Sequence, residues 1–255
     1  MIWDQCTSSE MAGADRSTVV ILPLAATEQH GPHLPLATDR LIAEGICAAL
    51  EASVRDRILV LPCPPVGYSM HHRGFAGTLS VTHQELIGTA ASMLGCVLED
   101  GFKNVLILNA HGGNIALGGV LLESLGESFP GARLAFTSWW QAAGEALRAI
   151  SESGPGGTGH ACEFETSLLL HLHPGLVRIE QIAAGTNCST FPWAESDMLA
   201  GPVVRLQRSF SQMTANGVFG DPLLASAAKG EAILREVVKA LVPVIADLGT
   251  PAEGA

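Results

Sequence analysis

Short apolar runs alternate along the chain with segments of helical periodicity, a pattern typical of α/β proteins with a mainly parallel sheet. The first run, residues 18–24, is uncharged and rich in branched side chains, as expected of a central strand covered on both faces. Further strands are predicted at 58–61, 105–108 and 133–136. We therefore predict an α/β fold, and a single domain over residues 1–255 is the simplest organisation.

Helices and loops are predicted between these runs. Thr82 and Glu85 are three residues apart, the spacing of a capping box, and predict a helix that reaches about Asp100. The glycine-rich segment 153–159 is predicted to be a flexible loop or lid, neither helix nor strand. Residues 186–222 show little periodicity and are predicted to be surface excursions. The remaining predicted helices cover 40–50, 145–150, 164–172 and 224–248.

Composition excludes several classes of protein. The chain has 255 residues, of which 47% are hydrophobic and 15% charged, so it can bury a substantial core and is neither disordered nor fibrous. Its formal net charge of −11 disfavours nucleic acid and anionic membranes as partners and favours a small molecule. A mean hydropathy of +0.31 is high for a soluble monomer, which predicts a homo-oligomer.

The start of the chain and the cysteines indicate a compartment. Asp4 stands where a secretory signal would be basic, and no apolar run approaches the roughly 18 residues that span a bilayer. Six cysteines are scattered without a CxxC pair, which argues against a disulfide framework and against a cysteine zinc site. We therefore expect a cytoplasmic protein.

Polar side chains gather where two predicted strands end. Glu28 and His30 share a face if the chain stays extended after the first strand, and Asp39 follows at the start of the next helix. The third strand ends in His111 and a double glycine that permits a tight turn. Any one of these residues alone is more often solvated or structural. Ligands of parallel α/β sheets bind outside the carboxyl ends of the strands, so together they indicate one site.

A third cluster comes directly after the glycine-rich segment. It contains His160, Glu163 and Glu165, with both acids in the predicted first turn of a helix. The helix dipole alone explains one acid there. It does not account for the histidine or for a second acid, whose side chain points elsewhere on the helix. This cluster is therefore a further contributor to the site.

With one of Glu163 or Glu165, the candidates amount to two imidazoles and three carboxylates. Such a mixed nitrogen and oxygen set suits Zn²⁺, Mn²⁺ or Fe²⁺. Five protein ligands are too many for a single catalytic ion with an open position, whereas a bridging carboxylate would let two ions share them and leave room for a water. The residues therefore predict a binuclear hydrolytic centre.

The motifs around these residues resemble the creatininase (creatinine amidohydrolase) family over about 19–234. The motifs are EQHGPHLP at 28–35 followed by Asp39, NAHGGN at 109–114, and the segment from Gly159 to Ser167. The resemblance implies a three-layer α/β/α sandwich, a cytoplasmic homohexamer, and two divalent ions, usually Zn²⁺ or Mn²⁺, that hydrolyse an amide C–N bond.

The resemblance also implies roles for individual residues. Creatininase proper has a metal-binding glutamate where this chain has Gly113, and we expect Glu163 to supply the missing carboxylate. His160 and Glu165 match the catalytic histidine of the family and the glutamate near it. Carried over by position, one ion would be held by Glu28 and His111, the other by His30, with Asp39 as the bridge. The substrate-binding wall is expected to contain Trp140, His72, Gly112 and Gly113.

The expected reaction is attack of a metal-bridging hydroxide on an amide carbonyl, with His160 protonating the leaving nitrogen. Because the metal shell and pocket differ from those of creatininase proper, we expect a creatinine-like cyclic amide, a lactam or a formamide rather than creatinine itself. An alternative is a non-catalytic sugar- or nucleotide-binding protein on the same fold, which would contain no divalent metal. A dinucleotide fingerprint GxGxxG occurs at 154–159 but lacks the preceding strand that it requires.

Overall fold

The computed structural model describes residues 1–250, and its centre is a four-stranded parallel sheet. The strands are β1 (Val19–Leu24), β2 (Ile58–Val60), β3 (Asn104–Asn109), β4 (Arg133–Ser138), β5 (Thr158–His160) and β6 (Phe219–Gly220). The first four form the parallel sheet in the order β2-β1-β3-β4, which places the first strand of the chain in its interior. Strands β5 and β6 form a separate antiparallel pair.

Helices connect and cover the strands. They are α1 (Ser8–Gly13), α2 (Thr38–Val54), α3 (His83–Glu99), α4 (Ile115–Ser128), α5 (Trp139–Ala142), α6 (Gly144–Ile150), α7 (Glu163–Leu172), α8 (Phe210–Met213) and α9 (Ala227–Gly249). The predicted capping box of Thr82 and Glu85 is present and begins α3. Within residues 1–250, no helix combines the length and the hydropathy that a membrane crossing requires.

Side chains of β1 alternate between two cores. Val19 and Ile21 belong to a core that includes buried side chains of α2, α7 and α9. Val20 and Leu22 belong to a second core, formed with α3 and α4. The alternation follows from the two-residue period of a strand. The sheet is therefore covered on both faces, which confirms the three-layer α/β fold with a parallel central sheet.

The glycine-rich segment differs from its prediction. The expectation that 153–159 contains no strand is wrong for Thr158 and Gly159, which begin β5. A Cβ at Gly159 would lie 2.2 Å from the ring of Phe219 in β6, so this glycine permits close strand pairing. The sequence also does not predict α4, because its three glycines weaken the helical pattern.

Parallel strands bring the candidate residues to one edge of the sheet. Strands β1, β3 and β4 pair in register, so their carboxyl ends lie side by side. Glu28 and His30 follow β1, His111 follows β3, and Trp140 follows β4. Asp39 joins them from the first turn of α2. The topology therefore gathers side chains that are distant in sequence.

Candidate metal centre

The candidate side chains converge at this edge, and Asp39 lies at the middle of them. Asp39 Oδ1 lies 3.0 Å from His30 Nε2, and Asp39 Oδ2 lies 3.3 Å from His111 Nδ1. Glu28 Oε1 lies 3.2 Å from the same nitrogen of His111. Glu165 Oε1 approaches His30 Nε2 to 3.9 Å. The two oxygens of Asp39 therefore point toward two different groups of ligand atoms.

Backbone carbonyls fix which nitrogen of each histidine faces the carboxylates. His30 Nδ1 lies 3.1 Å from the carbonyl oxygen of Glu28, and His111 Nε2 lies 2.8 Å from that of Tyr68. A carbonyl oxygen only accepts hydrogen bonds, so these two nitrogens carry the protons. In the neutral rings that a metal requires, the unprotonated nitrogens point into the cluster, which is how the imidazoles of metal sites are arranged.

Several ligand atoms of the cluster are buried without a hydrogen-bond partner among residues 1–250. They are Glu28 Oε1 and Oε2, His30 Nε2 and Asp39 Oδ2. Glu28 and His30 are 0% exposed, and Asp39 is 1% exposed. A buried carboxylate without a partner is strongly unfavourable, and a divalent cation binds both carboxylate oxygens and unprotonated imidazole nitrogens. The donor set therefore fits Zn²⁺ or Mn²⁺.

The charges of the cluster shift the pKa values of its members. Burial alone would lower the pKa of His30, but the carboxylates of Asp39 and Glu165 raise it well above its ordinary value. Burial likewise opposes protonation of His111, whereas Glu28 and Asp39 raise its pKa. Burial would raise the pKa of Asp39, but the two histidines hold it below its usual range. The carboxylates thus require positive charge, which protons or a cation can supply.

His160 presents an unprotonated nitrogen to the same cluster. Its Nε2 lies 2.7 Å from the backbone carbonyl oxygen of Gln29 and therefore carries the proton. Its Nδ1 lies 3.7 Å from Glu28 Oε1. Burial and the neighbouring His30 lower the pKa of His160 well below its ordinary value. The ring is therefore neutral near pH 7, with a free lone pair on Nδ1.

A strained backbone position holds Glu165 in place. Its Oε2 accepts a hydrogen bond of 2.6 Å from the backbone N–H of Ala161, whose φ is +49°. Such left-handed backbone costs a residue with a Cβ on the order of 1–3 kcal/mol and persists where the surroundings enforce it. Burial raises the pKa of Glu165. With Oε2 bound to Ala161, Oε1 is directed toward His30.

Glu163 lies outside the cluster, in disagreement with the expected ligand set. Its carboxylate accepts hydrogen bonds from the backbone N–H groups of Glu152 and Ser153, at 3.0 and 3.1 Å. It also accepts one from the Lys229 ammonium, which donates to Glu152 Oε2 as well. Residues two positions apart on a helix point in different directions. Glu165, rather than Glu163, is the acid of α7 that reaches the cluster.

Breaking the pair of Glu163 and Lys229 should destabilise the fold without changing its metal content. In Lys229→Met the fully buried carboxylate of Glu163 would lose its counter-ion, a loss that costs about 3–5 kcal/mol at buried pairs. We expect the lower end of that range because two backbone donors remain. Unfolding in urea measures the stability, and elemental analysis measures the metal.

The double variant Glu163→Gln/Lys229→Met is the control, because it removes both charges and should be less destabilised than Lys229→Met alone. Loss of one metal equivalent from Glu163→Gln would return Glu163 to the ligand set.

The backbone at Gly113 leaves no room for the glutamate of creatininase proper. A Cβ at Gly113 would lie 2.2 Å from the carbonyl oxygen of Tyr68 and 2.4 Å from His111 Nε2. These are the two atoms whose hydrogen bond orients His111. Any side chain at this position would therefore displace the group that directs His111 into the cluster.

Gly113→Ala should weaken metal binding as well as stability. We expect a loss of roughly 1–3 kcal/mol in the free energy of unfolding, because the added methyl must push the backbone apart. Disturbing the carbonyl that orients His111 should lower metal affinity about 10- to 100-fold. Gly112→Ala is the matched control, since a Cβ there meets nothing within 4 Å. Equal metal affinities in the two variants would refute the orienting role of Tyr68.

An open cleft with about 690 Å³ of free space leads to the cluster. Trp140, His72 and Gly112 line it, as expected, whereas Gly113 packs against Tyr68. His72 is 1% exposed, and its Nε2 lies 3.3 Å from Glu28 Oε1. The sequence does not indicate the other main wall residues: His71, Ile115, Met198, Phe210, Met213 and Phe219.

Four of these unexpected wall residues lie in the segment 186–222, which has no periodicity to reveal them. Phe210 is buried in α8, and its ring stacks on His72 with centroids 3.9 Å apart. Asp197 ties the same segment to the glycine-rich one by accepting a hydrogen bond of 2.8 Å from the backbone N–H of Gly156. The predicted surface excursion is therefore in part a wall of the cleft. The available signal in the sequence was Phe210, an apolar residue in a polar stretch, which indicates a buried position.

The molecule is a three-layer α/β protein whose buried donor set forms a candidate metal centre. The family profile of creatininase, creatinine amidohydrolase, matches residues 4–245, and the chain belongs to this family. A mycofactocin precursor peptide peptidase of Mycobacterium tuberculosis is 33% identical over 246 residues, which cover 91% of this chain and 85% of that protein. A creatinine amidohydrolase of Pseudomonas putida is 26% identical over 262 residues, covering 96% of this chain and 94% of the relative.

Solved creatininase structures share the fold. A crystal structure of creatinine amidohydrolase (creatininase) superposes with a TM-score of 0.82 at 24% sequence identity, and the match covers 98% of each chain. Two further creatininase structures with the same TM-score and 23% identity are described as a manganese form and as a mutant of the Zn-Zn type.

Proposed function

We propose that the protein is a binuclear metal-dependent amidohydrolase. The observation that carries this proposal is the position of Asp39, whose two oxygens lie 3.0 and 3.3 Å from nitrogens of two different histidines. A carboxylate so placed is suited to bridge two ions. Glu28 and His111 would complete one ion site, and His30 and Glu165 the other. The zinc and manganese forms of creatininase support the choice of Zn²⁺ or Mn²⁺.

The proposed chemistry divides between the ions and His160. When bound, two divalent cations lower the pKa of water and polarise an amide carbonyl. His160 Nδ1 is unprotonated and faces the cluster, so it accepts a proton from the attacking water and returns it to the amide nitrogen. An amide nitrogen leaves poorly until it is protonated, so this return is essential. The hydrogen bond from His160 Nε2 to the Gln29 carbonyl holds the ring for both transfers.

The cleft favours an amide that is flanked by an apolar group. Trp140, Phe210 and Phe219 contribute aromatic rings to the wall, and among residues 1–250 no lysine or arginine lines it. A carboxylate in place of that apolar group would lie against aromatic rings, with no cationic side chain to pair with it. The cleft is open to solvent, so it can also admit a substrate longer than a single five-membered ring.

A short peptide-like amide with an apolar side chain fits these walls better than a small cyclic amide. The similarity to a precursor peptide peptidase, at 33% identity against 26% for the creatinine amidohydrolase, supports this substrate class. The expected preference for a lactam or a formamide is thus replaced by a preference for a peptide-like bond.

Hydrolysis by metal-stripped and reloaded protein tests the proposal. We expect protein reloaded with Zn²⁺ or Mn²⁺ to cleave N-acetyl-Phe-Leu amide and the stripped protein to leave it intact, as measured by mass spectrometry of the products. Replacing the Phe of this substrate by Asp should lower kcat/KM at least about tenfold, or about 1.4 kcal/mol. Cleavage of creatinine or 2-pyrrolidinone in preference to the peptide amide would overturn the substrate class. Failure to bind metal and to cleave any of these amides would favour a binding protein.

A further inference from the structure

We propose that Gln29 is a positioning residue that fixes the proton positions on His72 and His160, and that His72 thereby presents a protonated nitrogen to Glu28 and is not a metal ligand. Distances alone do not decide this point, because ligand atoms of Glu28, His72 and His160 all lie within 4.8 Å of one another. The inference rests on the metal centre proposed above. It deepens that proposal by separating ligands from the groups that orient them.

Two backbone groups fix the orientation of the Gln29 amide. The backbone N–H of Gly31 donates to Gln29 Oε1 at 2.9 Å, and Gln29 Nε2 donates to the carbonyl oxygen of Gly217 at 3.1 Å. An N–H only donates and a carbonyl oxygen only accepts, so a flipped amide would lose both bonds. Packing reinforces the arrangement, because a Cβ at Gly217 would lie 2.1 Å from Gln29 Oε1.

The second N–H of the amide has two imidazole nitrogens within reach. Gln29 Nε2 lies 3.0 Å from His72 Nδ1 and 3.1 Å from His160 Nε2. His160 Nε2 already carries a proton, because it lies 2.7 Å from the backbone carbonyl oxygen of Gln29 itself. It therefore cannot accept a hydrogen bond from the amide. The amide proton goes to His72 Nδ1, which must be unprotonated to accept it.

The proton of the neutral His72 ring is then on Nε2. This nitrogen lies 3.3 Å from Glu28 Oε1 with its proton on the side of the carboxylate, so it has no lone pair for a metal. The ring is also held from its face by Phe210. His72 therefore lies against Glu28 with a protonated nitrogen and is not a metal ligand.

The assignment gives one glutamine two consequences for the site. Its amide leaves His72 without a lone pair on the nitrogen that faces Glu28, and its main chain makes His160 a ring with a free Nδ1. Both imidazoles are controlled by the residue between Glu28 and His30. In the motif Glu28-Gln29-His30, the first and last residues would therefore be metal ligands, and Gln29 would orient the rings of His72 and His160.

The metal content of a His72 variant shows whether His72 is a metal ligand. In His72→Gln the side chain has no imidazole nitrogen for a metal, so we expect elemental analysis to find the wild-type amount of zinc. Loss of one zinc equivalent would make His72 a ligand and overturn the proposal. His111→Gln is the comparison, because removing Nδ1 there should lower the zinc content.

Nitrogen NMR reads the proton positions directly. Solid-state ¹⁵N spectra of the zinc-loaded protein, labelled in its histidine rings, should show His72 protonated at Nε2, with its signals assigned by their loss in His72→Gln. In Gln29→Glu the new carboxylate accepts instead of donating, so the proton of His72 should move to Nδ1. Gln29→Met should lower zinc affinity about 10- to 100-fold. An Nδ1 proton on His72 in the wild-type protein would refute the assignment.

Thr78→Val is the matched control for local destabilisation. It removes the hydroxyl that accepts a hydrogen bond of 3.1 Å from the Gln29 backbone N–H, and it leaves the amide contacts in place. We expect the wild-type proton positions in this variant, and a proton shift equal to that in Gln29→Glu would contradict the role of the amide. If the wild-type protein binds no metal, the proposed function fails, whereas the metal-free spectrum still tests the proton positions. If Gln29→Met does not fold, the wild-type spectrum and the zinc content of His72→Gln decide.

Discussion

Asp39→Ala should lose both metal ions and at least about 1,000-fold of the amide hydrolysis, equivalent to roughly 4 kcal/mol of transition-state stabilisation. The physical reason is that its two oxygens face two separate histidines and would belong to both ion sites. Removing the carboxylate leaves each ion with fewer ligands. Once the ions are lost, the remaining carboxylates repel one another without a positive charge between them. Elemental analysis after dialysis and a rate measurement at saturating substrate check the two parts of the expectation.

Two companion variants make the result specific. Asp39→Asn preserves the size of the side chain, so a loss of metal there cannot be attributed to a cavity. Glu44→Ala removes an acid from the exposed face of the same helix, where its pair with Arg40 is worth at most about 1 kcal/mol, and should leave metal and activity unchanged. Retention of two ions at wild-type affinity by Asp39→Ala would contradict the bridging role.

His160→Gln should lower kcat about 100- to 10,000-fold while the metal content stays at the wild-type level. The glutamine can still donate to the carbonyl of Gln29, but it has no counterpart of the unprotonated Nδ1 that we propose transfers the proton. General acid–base catalysis contributes an effect of this size. Stopped-time product assays and elemental analysis on the same samples separate the loss of proton transfer from the loss of metal.

His171→Gln, an exposed position on α7, is the matched control and should behave as the wild type. If His160→Gln instead loses a metal ion, His160 is a ligand and another group must protonate the leaving nitrogen. A fall in kcat of less than tenfold would also exclude it as the main proton carrier.

The sequence predicts the centre of the site well because its ligands are tied to regular structure. Glu28 and His30 follow a buried strand directly, and His111 follows the neighbouring strand. Once the sheet is parallel, the strand ends must meet. Asp39 lies in the first turn of the helix that follows the first strand. It is therefore close to Glu28 and His30 both along the chain and in space. Local patterns were therefore sufficient to bring four of the residues together.

The choice between Glu163 and Glu165 was not available from local sequence. Both acids lie in the first turn of one helix, and the helix dipole favours either. The backbone N–H that holds Glu165 comes from Ala161, four residues earlier, whose left-handed conformation the sequence does not reveal. The environment of Glu163 is decided by Lys229, which is 66 residues further along the chain. Long-range pairing of this kind leaves no periodic signal.

Gly113 illustrates a second limit. Creatininase proper has a glutamate at this position, and the sequence shows that this chain lacks it but not why. The carbonyl of Tyr68, which occupies the space of a Cβ, comes from a loop more than forty residues earlier. The wall residues of 186–222 were missed for a related reason, since irregular segments can be buried without any repeating pattern of apolar positions.

Anomalous diffraction from crystals loaded with Zn²⁺ or Mn²⁺ tests the central claim most directly. The account predicts two anomalous peaks on either side of the Asp39 carboxylate, one within bonding distance of His111 Nδ1 and the other of His30 Nε2. Glu163 should lie outside both coordination shells. No peak at this edge of the sheet, or a single ion that is not bound by Asp39, would contradict the account.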